Sequence, residues 1–158
     1  MAALEVGAKA PDFELKDTEG KSVRLSHLLK DGKPVILAFY PAAFSSVCGD
    51  EMSLFQEAQG EFARLDAKIV GISVDNYWST AAFAKANGIT FPLLSDFHPK
   101  GAVAAKYGVM RDDGTAERAL FIIDTSGVIR YSYVSPVAQN PGADRLIEAL
   151  EKMRAARA

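Results

Sequence analysis

Cysteine is nearly absent from this chain. Its one thiol, among 158 residues, is Cys48, which excludes an intramolecular disulfide and any Cys-x-x-Cys redox or zinc motif. Histidine is almost as scarce. His27 and His98 belong to no Cys-His unit, and no group of Asp, Glu and His has the spacing of metal ligands, so neither metal nor other cofactor is expected. Long apolar runs are missing too: nothing approaches the ~20 residues of a membrane span. There is no basic run, and the formal net charge is −2, so neither nucleic acid nor a membrane surface is an expected partner. The stretch from Met1 to Pro11 lacks the basic start and apolar core of an export signal, and we expect a cytoplasmic protein. No repeat, low-complexity tract or interior linker interrupts the sequence. Residues 1–158 therefore read as one domain, long enough for a core of its own.

What is present is a regular succession of elements. Leu4 to Leu15 is a short extended start, Asp17 to Lys21 a turn and Ser22 to Leu25 a brief strand. Ser26 is expected to cap a helical turn through Lys30, and Gly32-Lys33-Pro34 breaks the chain. Val35 to Tyr40 and Lys68 to Val74 are nearly continuous apolar runs, the pattern of parallel strands covered on both faces. Between them Met52, Phe55, Ala58, Phe62 and Leu65 recur at steps of three and four, as on one face of a helix. Ser79 to Asn87 reads as a short helix stopped by Gly88, Phe91 to Leu94 as an extended piece, and Pro99 to Tyr107 as a helix. Arg118 to Asp124 and Val128 to Val134 form a hairpin about Thr125-Ser126-Gly127. A last helix, with Leu146, Ile147, Leu150 and Met153 on one face, follows Pro141-Gly142. This order predicts an α/β protein of thioredoxin-like fold, a mixed central sheet flanked by helices, with an N-terminal extension.

Cys48 falls where the first apolar strand gives way to a helix. Open α/β folds place their chemistry at such strand ends. A lone cysteine is more often a small buried hydrophobe than a nucleophile, but here two serines precede it as helix caps, and a helix N-terminus favours a thiolate. The residues around it have plainer readings of their own. Pro41 ends a strand, Ser45 caps a helix, Glu51 is a first-turn acid whose charge opposes a neighbouring thiolate, and Arg118 is a surface arginine. Tyr77-Trp78 is packing, an interface or a pocket wall.

Pro41, Ser45 and Cys48 fit the pattern Pro-x-x-x-Thr/Ser-x-x-Cys, and the segment resembles the signature of the peroxiredoxins. Phe44 and Val47 are similar to that loop's usual apolar residues, and Glu51 matches a Cys-x-x-Glu that often follows. Arg118 matches the distant arginine that opens a strand in this family, and Asp124 and Gly127 continue the match in the hairpin. The resemblance runs from Pro11-Asp12-Phe13 to the last helix. Phe91 to Val103 looks most like the one-cysteine, AhpE-like (alkyl hydroperoxide reductase E) group. Two positions depart: Ser45 stands where threonine is commoner, and Gly49-Asp50 replaces a more usual Pro-Thr. The resemblance implies a thiol-dependent peroxidase of antioxidant defence, reducing hydrogen peroxide and organic hydroperoxides through a Cys48 sulfenic acid. It implies that Pro41 shields the sulfur, that Ser45 and Arg118 bind thiolate and peroxide, and that Glu51 holds the arginine. It also implies a homodimer or larger assembly, and a low-molecular-weight thiol or glutaredoxin-like protein as reductant.

The cysteine count adds one expectation independent of family. No second thiol exists to condense with a sulfenic acid, so the resolving thiol comes from another molecule. Two other functions use the same sequence. One is a peroxide sensor that passes its oxidation to a partner protein; the other is a binding or chaperone-like module whose cysteine is silent.

Overall fold

The computed structural model describes residues 2–157. Met1 and Ala158, which the single-domain expectation includes, lie outside the described residues. One seven-stranded sheet organises the chain, in the order β2-β1-β5-β4-β3-β6-β7. At its centre β3 (Val35–Phe39) lies parallel to β4 (Lys68–Ser73), as the two apolar runs predict. On the other side of β3, β6 (Arg118–Ile123) runs antiparallel, pairing Val35 with Ile123 through Phe39 with Ala119. That register puts Arg118, the first residue of β6, one step past the end of β3 and level with Tyr40. β7 (Ile129–Ser135) completes the hairpin at one edge. At the opposite edge β5 (Leu93–Ser95) pairs with β4, and the short hairpin β1 (Glu14–Lys16) and β2 (Ser22–Arg24) adds the N-terminal extension.

Helices cover both faces, so strand side chains alternate between two cores. Val35, Leu37 and Phe39 enter one with Phe13, Leu25, Tyr107 and Phe121, under α1 (Leu25–Leu28) and α5 (Ala102–Lys106). Ile36, Ala38 and Tyr40 enter the other with Cys48, Met52, Phe55, Phe62, Phe83 and Leu146. This second core lies under α2 (Ser46–Glu57), α3 (Gln59–Arg64), α4 (Tyr77–Asn87) and α6 (Asp144–Arg157). Each fully buried Phe or Leu here contributes roughly 1.5–3 kcal/mol. Gly71 of β4 makes room for the ring of Tyr40: a Cβ there would lie 2.6 Å from Leu93 and 3.3 Å from the tyrosine.

Helix boundaries depart from the sequence expectations, each for a local reason. The helix after Cys48 is two helices, interrupted at Ala58, where the side-chain amide of Gln59 donates to the carbonyl of Phe55 at 3.3 Å. Ser26 does not cap α1; its backbone N–H instead donates to the carboxylate of Asp12 at 2.9 Å. α4 starts at Tyr77, two residues before expectation, because Asn76 caps it through the N–H of Ser79 at 2.9 Å. α5 starts at Ala102 rather than Pro99: residues 96–101 form a turn, and Asp96 accepts from the N–H groups of Val103 and Ala104.

Candidate active site

The chain leaves β3 through Tyr40 and Pro41, both buried, and turns sharply at Phe44, whose φ of 68° is left-handed. Ser45 then caps α2. Its Oγ accepts the N–H of Cys48 at 3.3 Å, and the hydroxyl proton stays free to donate. Cys48 sits in the first turn, where helix N–H groups have no intrahelical partner, and it is fully buried. The expected strand-to-helix setting of the thiol is what the fold delivers.

Arg118 meets it from the neighbouring strand. The guanidinium Nη1 donates to Cys48 Sγ at 3.3 Å and to Glu51 Oε1 at 2.8 Å, while Nε donates to the carbonyl of Val137 at 2.9 Å. Ser135, the β-partner of Arg118, braces that last contact. Its Oγ lies 3.1 Å from the carbonyl oxygens of both Pro136 and Gln139, which shapes the loop carrying Val137. Arg118 is 1% exposed and Glu51 0%, so this arginine is no surface residue. Burial works against the guanidinium's charge, yet hydrogen bonds to Cys48 and Glu51 hold its pKa above the ordinary value. Burial also raises Glu51, from 4.5 to about 7, against the opposing hydrogen bond and charge of Arg118. Glu51 Oε2 and the Tyr40 hydroxyl are buried without a hydrogen-bond partner.

A carboxylate that no sequence motif marks holds the loop. Asp75 Oδ2 accepts the N–H of Ala43 at 2.7 Å and the hydroxyl of Ser73 at 2.8 Å. The available signal was position: Asp75 follows β4, whose carboxyl end lies beside that of β3. Phe44 is 60% exposed and packs edge-to-face on Phe83, with ring centroids 5.5 Å apart, and Val47 is half-buried. Trp78 is exposed and stacked on Tyr77, and with Phe97 and His98 they line a surface cleft. His27 lies in α1, which packs on the sheet face opposite the one that carries Cys48. Among the described residues, no group of three or more His, Cys, Asp or Glu is arranged to hold a metal ion, and no helix is long and apolar enough to cross a membrane.

Residues 6–132 match the model of the AhpC/TSA family. The chain is a peroxiredoxin of that family. Against alkyl hydroperoxide reductase E of Mycobacterium tuberculosis (strain ATCC 25618 / H37Rv), this peroxiredoxin is 41% identical over 130 residues, spanning 82% of its own length and 84% of the relative's. It is 36% identical to the chloroplastic 2-cysteine peroxiredoxin of Chattonella marina var. antiqua, across 96% of this chain and 82% of that one. The crystal structure of peroxidoxin BcpB from Mycobacterium tuberculosis superposes with a TM-score of 0.87 at 37% identity, covering 96% of this chain and 99% of that one. The thioredoxin-like fold and the membership expected from the Cys48 motif both stand. This peroxiredoxin is accordingly a thiol-dependent peroxidase, and it has a single cysteine.

Proposed function

We propose that Cys48 is the peroxidatic nucleophile, that hydrogen peroxide and organic hydroperoxides are its substrates, and that its sulfenic acid is resolved by an external thiol. The observation that carries this is the contact of Arg118 Nη1 with Cys48 Sγ at 3.3 Å in an enclosed first helical turn. A cysteine of ordinary pKa, about 8.5, is roughly 10% ionised near pH 7.5, so full ionisation gains only about tenfold in rate. The larger share comes from donors fixed on the peroxide oxygens as negative charge moves across them. Arg118, the Ser45 hydroxyl and the first N–H groups of α2 supply these donors, and Pro41 covers the sulfur. Phe44 and Val47 form the apolar rim, and Glu51 holds the arginine in place.

The thiolate attacks the terminal peroxide oxygen in line with the O–O bond, giving a sulfenic acid and an alcohol or water. With no second cysteine in the chain, a low-molecular-weight thiol or glutaredoxin-like protein supplies the resolving sulfur. Antioxidant defence in the cytoplasm fits a protein whose only thiol must be returned to the reduced state by its surroundings. A homodimer or larger assembly is part of the same proposal, with the exposed aromatic segment Tyr77-Trp78 as its contact. Cys48→Ser tests the assignment: the variant is expected to fold and to lose peroxidase activity almost completely. Substantial turnover by it would refute the role of Cys48.

A further inference from the structure

We propose that Glu51 is the proton store of the peroxidatic site: it holds a carboxyl proton while Cys48 is a thiolate and gives that proton up when the sulfur is oxidised. The proposal rests on Cys48 being the peroxidatic thiol. Three observations carry it. Among the described residues Arg118 is the one cation hydrogen-bonded to Cys48 or Glu51, and it reaches both with the same nitrogen, at 3.3 and 2.8 Å. All three side chains are shut away from solvent. The second carboxyl oxygen of Glu51 is buried and has no donor.

A thiolate and a carboxylate here would set two buried negative charges against one positive charge. An uncompensated buried charge costs several kcal/mol, and one proton shared between the two acids removes it. The helix decides which acid keeps it. Cys48 lies in the first turn of α2, among unpaired N–H groups and beside the Ser45 hydroxyl, whereas Glu51 lies three residues farther along, beyond them. The other titratable groups near the pair do not relieve it. Tyr40, just past the end of β3, is buried, which pushes its phenol well above its ordinary value and keeps it neutral, and Asp75 beyond it adds only negative charge. Burial raises the Glu51 carboxyl to about 7, against the opposing hydrogen bond and charge of Arg118.

The reaction then balances inside the site. A sulfur lone pair forms the S–O bond to the terminal peroxide oxygen, which keeps its hydrogen. The O–O bond breaks, and its electron pair leaves on the other oxygen as alkoxide or hydroxide. That oxygen takes up a proton as Glu51 releases one. Thiolate, carboxylic acid and hydroperoxide become sulfenic acid, carboxylate and alcohol or water. Sulfur is oxidised by two electrons, the peroxide is reduced by the same two, and the total charge is unchanged. Arg118 is left in a balanced pair with Glu51. Glu51 touches no substrate in this scheme; it is a positioning residue that acts through Arg118 and through its own proton.

The experiment counts protons. One equivalent of hydrogen peroxide is added to the reduced protein near pH 7, in weak buffer with an indicator dye. Thiolate absorbance is read beforehand against Cys48→Ser, and the mass of Cys48 afterwards. The wild type is expected to take clearly less than one proton from solvent per sulfur oxidised, and Glu51→Gln to take one. An infrared difference spectrum of the wild-type reaction is expected to lose a protonated-carboxyl band and gain a carboxylate band, and it decides the matter alone if Glu51→Gln does not fold. Uptake of one proton per sulfur by the wild type without that band change overturns the proposal, as does a Cys48 with no thiolate absorbance at the start. Absence of added oxygen on Cys48 overturns the peroxidatic assignment itself.

Discussion

Arg118 and Cys48, 70 residues apart in sequence, meet at 3.3 Å because β6 runs antiparallel to β3. The first residue of one strand thereby lies beside the last turn out of the other. Loss of that contact is expected to slow oxidation by peroxide in Arg118→Ala by about 10²–10³-fold, the usual effect of removing one preorganised donor. Stopped-flow oxidation rates at neutral pH and at pH 9–10 separate the two roles of the arginine. Only partial recovery is expected at high pH, where an ordinary thiol ionises; full recovery would mean that the arginine does nothing but favour the thiolate.

Asp75 is expected to govern the loop from outside the site. Its carboxylate accepts the N–H of Ala43 at 2.7 Å, one residue before the left-handed Phe44. Asp75→Ala leaves that N–H and the Ser73 hydroxyl without their acceptor, at a cost of about 1–3 kcal/mol. Hydrogen exchange at residues 43–48 is expected to accelerate and sulfur oxidation to slow by about tenfold, roughly 1.4 kcal/mol in the barrier, with Asp75→Asn in between. Unchanged exchange in the alanine variant would show that the loop holds itself.

Stability should carry the signature of Glu51. The native carboxyl titrates near 7 and an ordinary one near 4.5, so between those values the folded state binds more protons than the unfolded state. Stability therefore falls as pH rises through this window and levels off above it, by up to roughly 3 kcal/mol. Glu51→Gln is expected to abolish that slope. Urea unfolding of Cys48→Ser with and without Glu51→Gln, at pH values spanning the window, reads it directly. A wild-type carboxyl that adds stability as pH rises would reverse the sign and contradict the burial argument.

Self-association is expected from the exposed Trp78, 71% accessible and stacked on Tyr77 at 4.2 Å. Light scattering at tens of micromolar should give at least a dimer, and Trp78→Arg should shift it toward monomer. A wild-type monomer at that concentration would end the proposal.

The parts of this fold legible in sequence were those written in local pattern. The apolar runs gave β3 and β4, the turn Thr125-Ser126-Gly127 gave the β6–β7 hairpin, and Ser45 gave the start of α2 and so the place of Cys48. What stayed hidden was written in contacts between distant segments. Asp12 caps the turn at Ser26, Asp75 reaches Ala43 across 32 residues, and the carbonyl of Val137 orients Arg118 from the loop after β7. No periodicity announces such pairs, because each depends on which strand ends the topology sets side by side. Glu51 was legible as a partner for the arginine, but its missing second partner was not: that depends on complete enclosure.

We propose that Cys48 carries the oxidation and waits for a thiol from outside, and intact-protein and peptide mass spectrometry reads both steps. With one equivalent of peroxide and no reductant, Cys48 should gain one oxygen and persist as a sulfenic acid. A small thiol or a glutaredoxin-like protein should then restore it, and many equivalents should add a second oxygen and end activity. Oxygen found only on the methionines, an intersubunit disulfide as the main product, or sustained turnover with no thiol supplied would refute this role of Cys48.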